Sequence, residues 1–125
     1  MTKLLLSVLT IFLVSAKCYS GEIDCLARVG WAESRGEPLE GVIVLMQSSM
    51  TRAKNDHISV CNIPANKLDI PKSMKPVFML LAREVVSGRL PAMNDGSDSW
   101  NSGKLPRQPG AVRRIVGNHV FYAKK

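Results

Sequence analysis

A chain of 125 residues, 46% hydrophobic, with seventeen Lys and Arg against ten Asp and Glu, has room for one domain with one modest core and excludes a multidomain arrangement. The net charge of +7 favours polyanionic surroundings or serves solubility alone, and no basic stripe interleaved with aromatic residues suggests nucleic-acid readout. Two histidines and three cysteines at unrelated spacings exclude a zinc site and with it a zinc amidase, so neither metal nor cofactor is expected.

Lys3 is followed by an uncharged run of thirteen residues, Leu4 to Ala16, too short to span a bilayer comfortably but suited to a signal-peptide core. Small residues offer cleavage after Ala16 or after Ser20, and Lys17 stands where a lipoprotein site at Cys18 needs a small residue. A start that stays uncleaved and temporarily anchored is the other reading of this run. Processing after Ser20 divides the chain into a signal peptide, 1–20, and a mature domain, 21–125, and the loss of Lys3 and Lys17 lowers the net charge to +5. It also leaves Cys25 and Cys61 as an even pair in an oxidising compartment, where a disulfide is expected; two buried thiols are the alternative.

Asp24 is placed to cap a first helix running through CLARVGWAESR, with Gly36 available as its C-cap. Leu26, Val29 and Glu33 share a face of that helix, so Glu33 lies near its end beside apolar residues. Pro38 suits the first turn of a second helix, in which Val42, Leu45, Met46 and Met50 form an apolar stripe as far as about Ala53. Glu37 and Glu40 complement its N-terminal dipole. The segment NDHISVCNIPANKLDIPK reads as loop with one short turn. Ser73 then caps a third helix, Pro76 falls in its first turn, and Val77, Leu80, Leu81, Val85 and Val86 are predicted to face inward before Gly88 stops it.

NDGSDSWNSGKLPRQPG reads as a loop, and its Trp100 is either a platform for a sugar ring or a cap on the core. VRRIV and HVFYA flank Gly117-Asn118, which predicts a β-hairpin. The expected fold is thus α+β and mainly helical, a single small domain with a C-terminal hairpin.

Three carboxylates, Glu33, Glu37 and Glu40, fall between Trp31 and Gly41. Cleaving a glycosidic bond takes a carboxylic acid that protonates the leaving oxygen, and such an acid needs a partly apolar site. Glu33 fits best, since Val29, Trp31 and the second helix are available to surround it; on spacing alone, an isolated helical Glu is more often a surface or cap residue.

The run CLARVGWAESRGEPLEGVIVLMQSSMTRAK resembles the signature block of the SleB-like cell-wall hydrolases, the spore-cortex-lytic family: E-A-R-G-E-P-x-E-G, an apolar helix, then N-R. Glu33, Arg35, Gly36, Glu37, Pro38, Glu40 and Gly41 match in order, and Thr51-Arg52 stands at the Asn-Arg position. SVCN is similar to the family's V-C segment, and VGNHVFY to its closing I-G-N-H-x-F-Y block. Departures are Ser34 for the usual Ala, Trp31 near the usual Tyr position, and CNIPANKLDIPKS where a Gln-Phe-Ser element is common.

The resemblance implies a lysozyme-like fold and cleavage of peptidoglycan glycan strands between N-acetylmuramic acid and N-acetylglucosamine, by lytic transglycosylation with Glu33 as general acid/base. Hydrolysis by a muramidase is the alternative if water attacks instead. A non-catalytic exported wall-binding module is the alternative outside enzymes, and a cysteine peptidase is disfavoured because a Cys25–Cys61 bridge would consume its thiol. Trp31, Trp100, His119 and Tyr122 are candidates to line the cleft, His119 also having a purely structural reading as a hydrogen-bonding residue. Arg35, Gly36, Glu37, Pro38 and Gly41 are expected to be architectural, Arg35 pairing with Glu37 or Glu40 and Gly36 with Pro38 fixing the turn that presents Glu33. The expected partner is the glycan strand, met by an exported monomer of the cell envelope without a stable membrane span after processing.

Overall fold

The computed structural model describes residues 21–125; the expected signal peptide, its two candidate cleavage positions and Cys18 lie outside the described residues. Three α-helices and a short 3-10 turn precede a three-stranded antiparallel sheet, so the α+β class holds. Helix α1 is helical from residue 21 to 34, α2 runs Leu39–Asn55 and α3 runs Lys75–Ser87. The strands are β1, Ser99–Ser102, β2, Gly110–Val116, and β3, His119–Lys124, in the order β1-β3-β2. Among the described residues no helix is long and apolar enough to cross a membrane.

The core forms where α1 and α2 bury Leu26, Val29, Val44, Leu45 and Met46, closed from one side by Phe78 and Ala82 of α3 and from the other by Phe121 of β3. Gly30 lets α1 approach α2, since a side chain there would meet the end of Met46. The bridge Cys25–Cys61 ties α1 to the 3-10 turn Val60–Asn62, with Cα atoms 5.2 Å apart. Both predicted C-caps have the left-handed backbone that glycine tolerates, Gly36 at φ 83° and Gly88 at φ 73°.

Four details differ from the sequence-based expectation. Asp24 lies inside α1, which is already helical at residue 21, so it is no N-cap. The third helix begins after Met74, not Ser73, and Pro76 stands in its first turn. Its buried positions are Phe78 and Ala82; of the expected stripe Leu81, Val85 and Val86 do pack against the core, whereas Val77 and Leu80 are 48% and 53% exposed. Phe78 takes the inward position instead, meeting Trp31 edge-on with ring centroids 5.4 Å apart.

The fourth difference is β1, where the sequence suggested only loop. Its single apolar residue gives no alternation to read, and it becomes a strand because β3 offers an open edge. Asp98 N–H donates to Tyr122 O and Gly103 N–H to Asn118 O just beyond its two ends. Trp100 pairs with Phe121 and so lies on the inner face, packed against the core.

Asp98 fixes the start of that strand. Its buried carboxylate accepts hydrogen bonds from Lys124 N–H at 3.0 Å, Ser99 Oγ at 3.1 Å and Asn55 Nδ2 at 3.2 Å. Burial pushes this carboxyl up, but the Lys124 N–H, Asn55, Ser99 and the Lys124 charge together outweigh it, and the net shift is below the ordinary 3.8. A depressed folded-state pKa stabilises the fold above the unfolded value, and that contribution is lost as pH falls from 3.8 through the lower folded value. Urea unfolding measured at neutral pH and again below about pH 4 should show this acid loss in the wild type, and a shallower one in Asp98→Asn.

Candidate active site

Glu33 occupies the last turn of α1 and is half-buried. Its Oε1 accepts a hydrogen bond from the backbone N–H of Asn66 at 3.0 Å. The segment carrying Asn66 is held along α1 at two further places, the Cys25–Cys61 bridge and the Leu68 N–H to Arg28 O bond at 3.4 Å, and is braced internally by Lys67 Nζ, which donates to Ile63 O at 3.1 Å and Ala65 O at 3.3 Å. One carboxylate oxygen is thus fixed by a braced loop and the second is left for another group. Val29, expected beside Glu33, is fully buried in the core, and α2 packs on the Gly30 side of α1.

The other two carboxylates belong to the hairpin. Glu37, with a side chain only 9% exposed, places Oε1 3.0 Å from His119 Nδ1, and its Oε2 accepts from Asn118 N–H at 3.2 Å. Glu40 forms an ion pair with Arg114 of β2. Arg35, expected to pair with one of them, is exposed and instead lies over the Trp31 ring, 5.6 Å from its centroid. Pro38 stands at the N-cap position of α2, and Gly41 is buried where a side chain would touch Val116. The E-P-x-E-G spacing therefore joins the start of α2 to the turn of a hairpin some eighty residues later.

That turn explains Gly117. Its φ of 56° suits a first central residue of a II′ hairpin turn, and a methyl group added there would run into the buried Glu37 carboxylate. Gly117→Ala should therefore lower stability by about 2 kcal/mol, from backbone strain plus overpacking. The urea midpoint checks this, and an unchanged midpoint would mean that the Glu37 clamp does not form.

The remaining candidates are not gathered around Glu33. Trp31 is two positions away on α1, and residues at that spacing do not face each other. It lines a separate groove of about 220 Å3 with Leu39, Val42, Val77, Phe78 and Leu81. Trp100 packs against the core, His119 is held by Glu37 and stacks on Phe121, and Tyr122 is 3% exposed. Tyr122 pairs with Val112 and Ser99, which puts it on the outer face of the sheet, away from the helices.

Sequence reading missed Asn66 and Lys67, and their residue types carry no signal, because Asn66 acts through its backbone and Lys67 by tying down carbonyls. Among the described residues no group of three or more His, Cys, Asp or Glu is placed to hold a metal ion. No family profile, curated protein or solved structure matches the chain.

Proposed function

We propose that this protein is an exported, lysozyme-like enzyme of the cell envelope that cleaves peptidoglycan glycan strands as a lytic transglycosylase, with Glu33 as its general acid/base. One observation carries the reading: of the three carboxylates in the motif, Glu37 and Glu40 are paired with His119 and Arg114, and Glu33 alone belongs to no ion pair among the described residues, its second oxygen left for a substrate.

A single free carboxylate suits this reaction better than hydrolysis by a carboxylate pair. Protonated Glu33 gives its proton to the glycosidic oxygen as the bond from the muramic C1 breaks and the N-acetylglucosamine alcohol leaves. The muramic C6 hydroxyl then attacks C1, and the Glu33 carboxylate takes the hydroxyl proton, closing a 1,6-anhydro ring and restoring the acid. No water is consumed. Asn66 N–H orients the carboxylate in both steps.

Mass spectrometry of the soluble products released from purified peptidoglycan tests the proposal. Anhydromuramyl ends are expected. Reducing muramic ends would make the protein a muramidase, and no release at all would replace the enzyme with a wall-binding module.

A further inference from the structure

Charge is divided unevenly along this fold. Residues 21–98 hold nine Lys and Arg against ten Asp and Glu, whereas from Ser99 to Lys125 there are six Lys and Arg and no acidic residue. Of those six, Arg114 turns inward to Glu40 and Lys124 reaches Asp56 at 3.8 Å. Lys104, Arg107, Arg113 and Lys125 are exposed and make no ion pair among the described residues.

Strand register places apolar side chains among those cations. Val112 stands opposite Tyr122 and Ile115 opposite Val120, so both lie on the outer face, while Arg114 opposite Phe121 points to the helices. Arg113 is the extra residue where the register shifts between Val112 and Arg114. The loop 103–109 is fastened to the same face by Asn101, whose Nδ2 donates to Leu105 O and whose Oδ1 accepts from Arg107 N–H, both at 2.9 Å. Leu105, between Lys104 and Arg107, is 81% exposed, and Val112 and Ile115 are about half exposed.

A soluble polyanion would use the cations and leave the Leu, Val and Ile in water. An anionic bilayer uses both, since its headgroups attract Lys and Arg and its interfacial layer accepts apolar side chains. We infer that the outer face of the sheet, with the 103–109 loop, docks on an anionic phospholipid surface, with Leu105 entering below the headgroups and Lys104, Arg107 and Arg113 among them. This surface is distinct from Glu33 and stands whether or not Glu33 is catalytic.

Hydrogen exchange of the full chain tests it, because the run Leu4–Ala16 is common to every sample and the readout is local protection of residues 103–115. Protection is expected on phosphatidylcholine vesicles containing about one third phosphatidylglycerol, and not on phosphatidylcholine alone. The lipid needed for half-protection should rise about fivefold for each of Lys104→Ser, Arg107→Ser and Arg113→Ser. Leu105→Ser should raise it several-fold with all charges intact. Absence of protection, equal protection on neutral vesicles, equal protection by soluble polyphosphate, or indifference to the charge substitutions would each overturn the inference.

Discussion

Replacing Glu33 by Gln is expected to reduce release of anhydromuramyl ends by about a thousandfold while leaving the urea midpoint where it was. The two residues have the same shape, and an amide oxygen still accepts the Asn66 N–H. What disappears is the transferable proton, and one group supplies it in both steps, to the leaving oxygen and from the C6 hydroxyl. General acid/base catalysis contributes about 10² to 10⁴ per group, and a thousandfold loss corresponds to about 4 kcal/mol of transition-state stabilisation. Stability should hold because Glu33 is half-buried and belongs to no ion pair among the described residues. A mutant that releases as much product as wild type would remove Glu33 from the chemistry. The complementary substitution, Glu37→Gln, should act in the opposite way, lowering stability through the hairpin while altering the reaction step little.

The separation of those two roles was only partly visible in the sequence. Helix positions followed from apolar spacing and from Gly36, Pro38 and Gly88, because those features act within a few residues of themselves. The hairpin followed from Gly117-Asn118 for the same reason. Glu37 was legible as a helix-terminal carboxylate and no more, since its partners His119 and Asn118 lie at the other end of the chain. The strand at Trp100 was hidden because an edge strand that borrows its order from a neighbour needs no pattern of its own. On α3 the apolar spacing finds Leu81, Val85 and Val86 on the core side but not Phe78, whose partner Trp31 lies on a helix distant in sequence, and it wrongly turns Val77 and Leu80 inward. Within the candidate site, Glu33 was legible as a residue and its environment was not: the loop that grips it does so through a backbone amide.

Loss of the Cys25–Cys61 bridge should show how much that grip matters. It closes a loop with a sequence separation of 36, and chain-entropy reasoning puts its stabilisation at about 3 to 4 kcal/mol, a large share of what a domain of this size possesses. The double substitution Cys25→Ala and Cys61→Ala should therefore lower the unfolding free energy by about that amount, read from urea titration at neutral pH. A second effect follows from position. Asn66 lies five residues beyond Cys61 on the segment that the bridge anchors along α1, so freeing the segment loosens the hydrogen bond that orients Glu33. At a temperature where the double mutant is still fully folded, activity per folded molecule should fall by about tenfold, because a carboxylate misplaced by an ångström or so transfers protons poorly. The loss should appear in kcat more than in KM, since the substrate-binding surface is not altered. If stability falls as expected but kcat per folded molecule does not, the Leu68 and Lys67 contacts alone are enough to hold Asn66, and the bridge serves the fold and not the site.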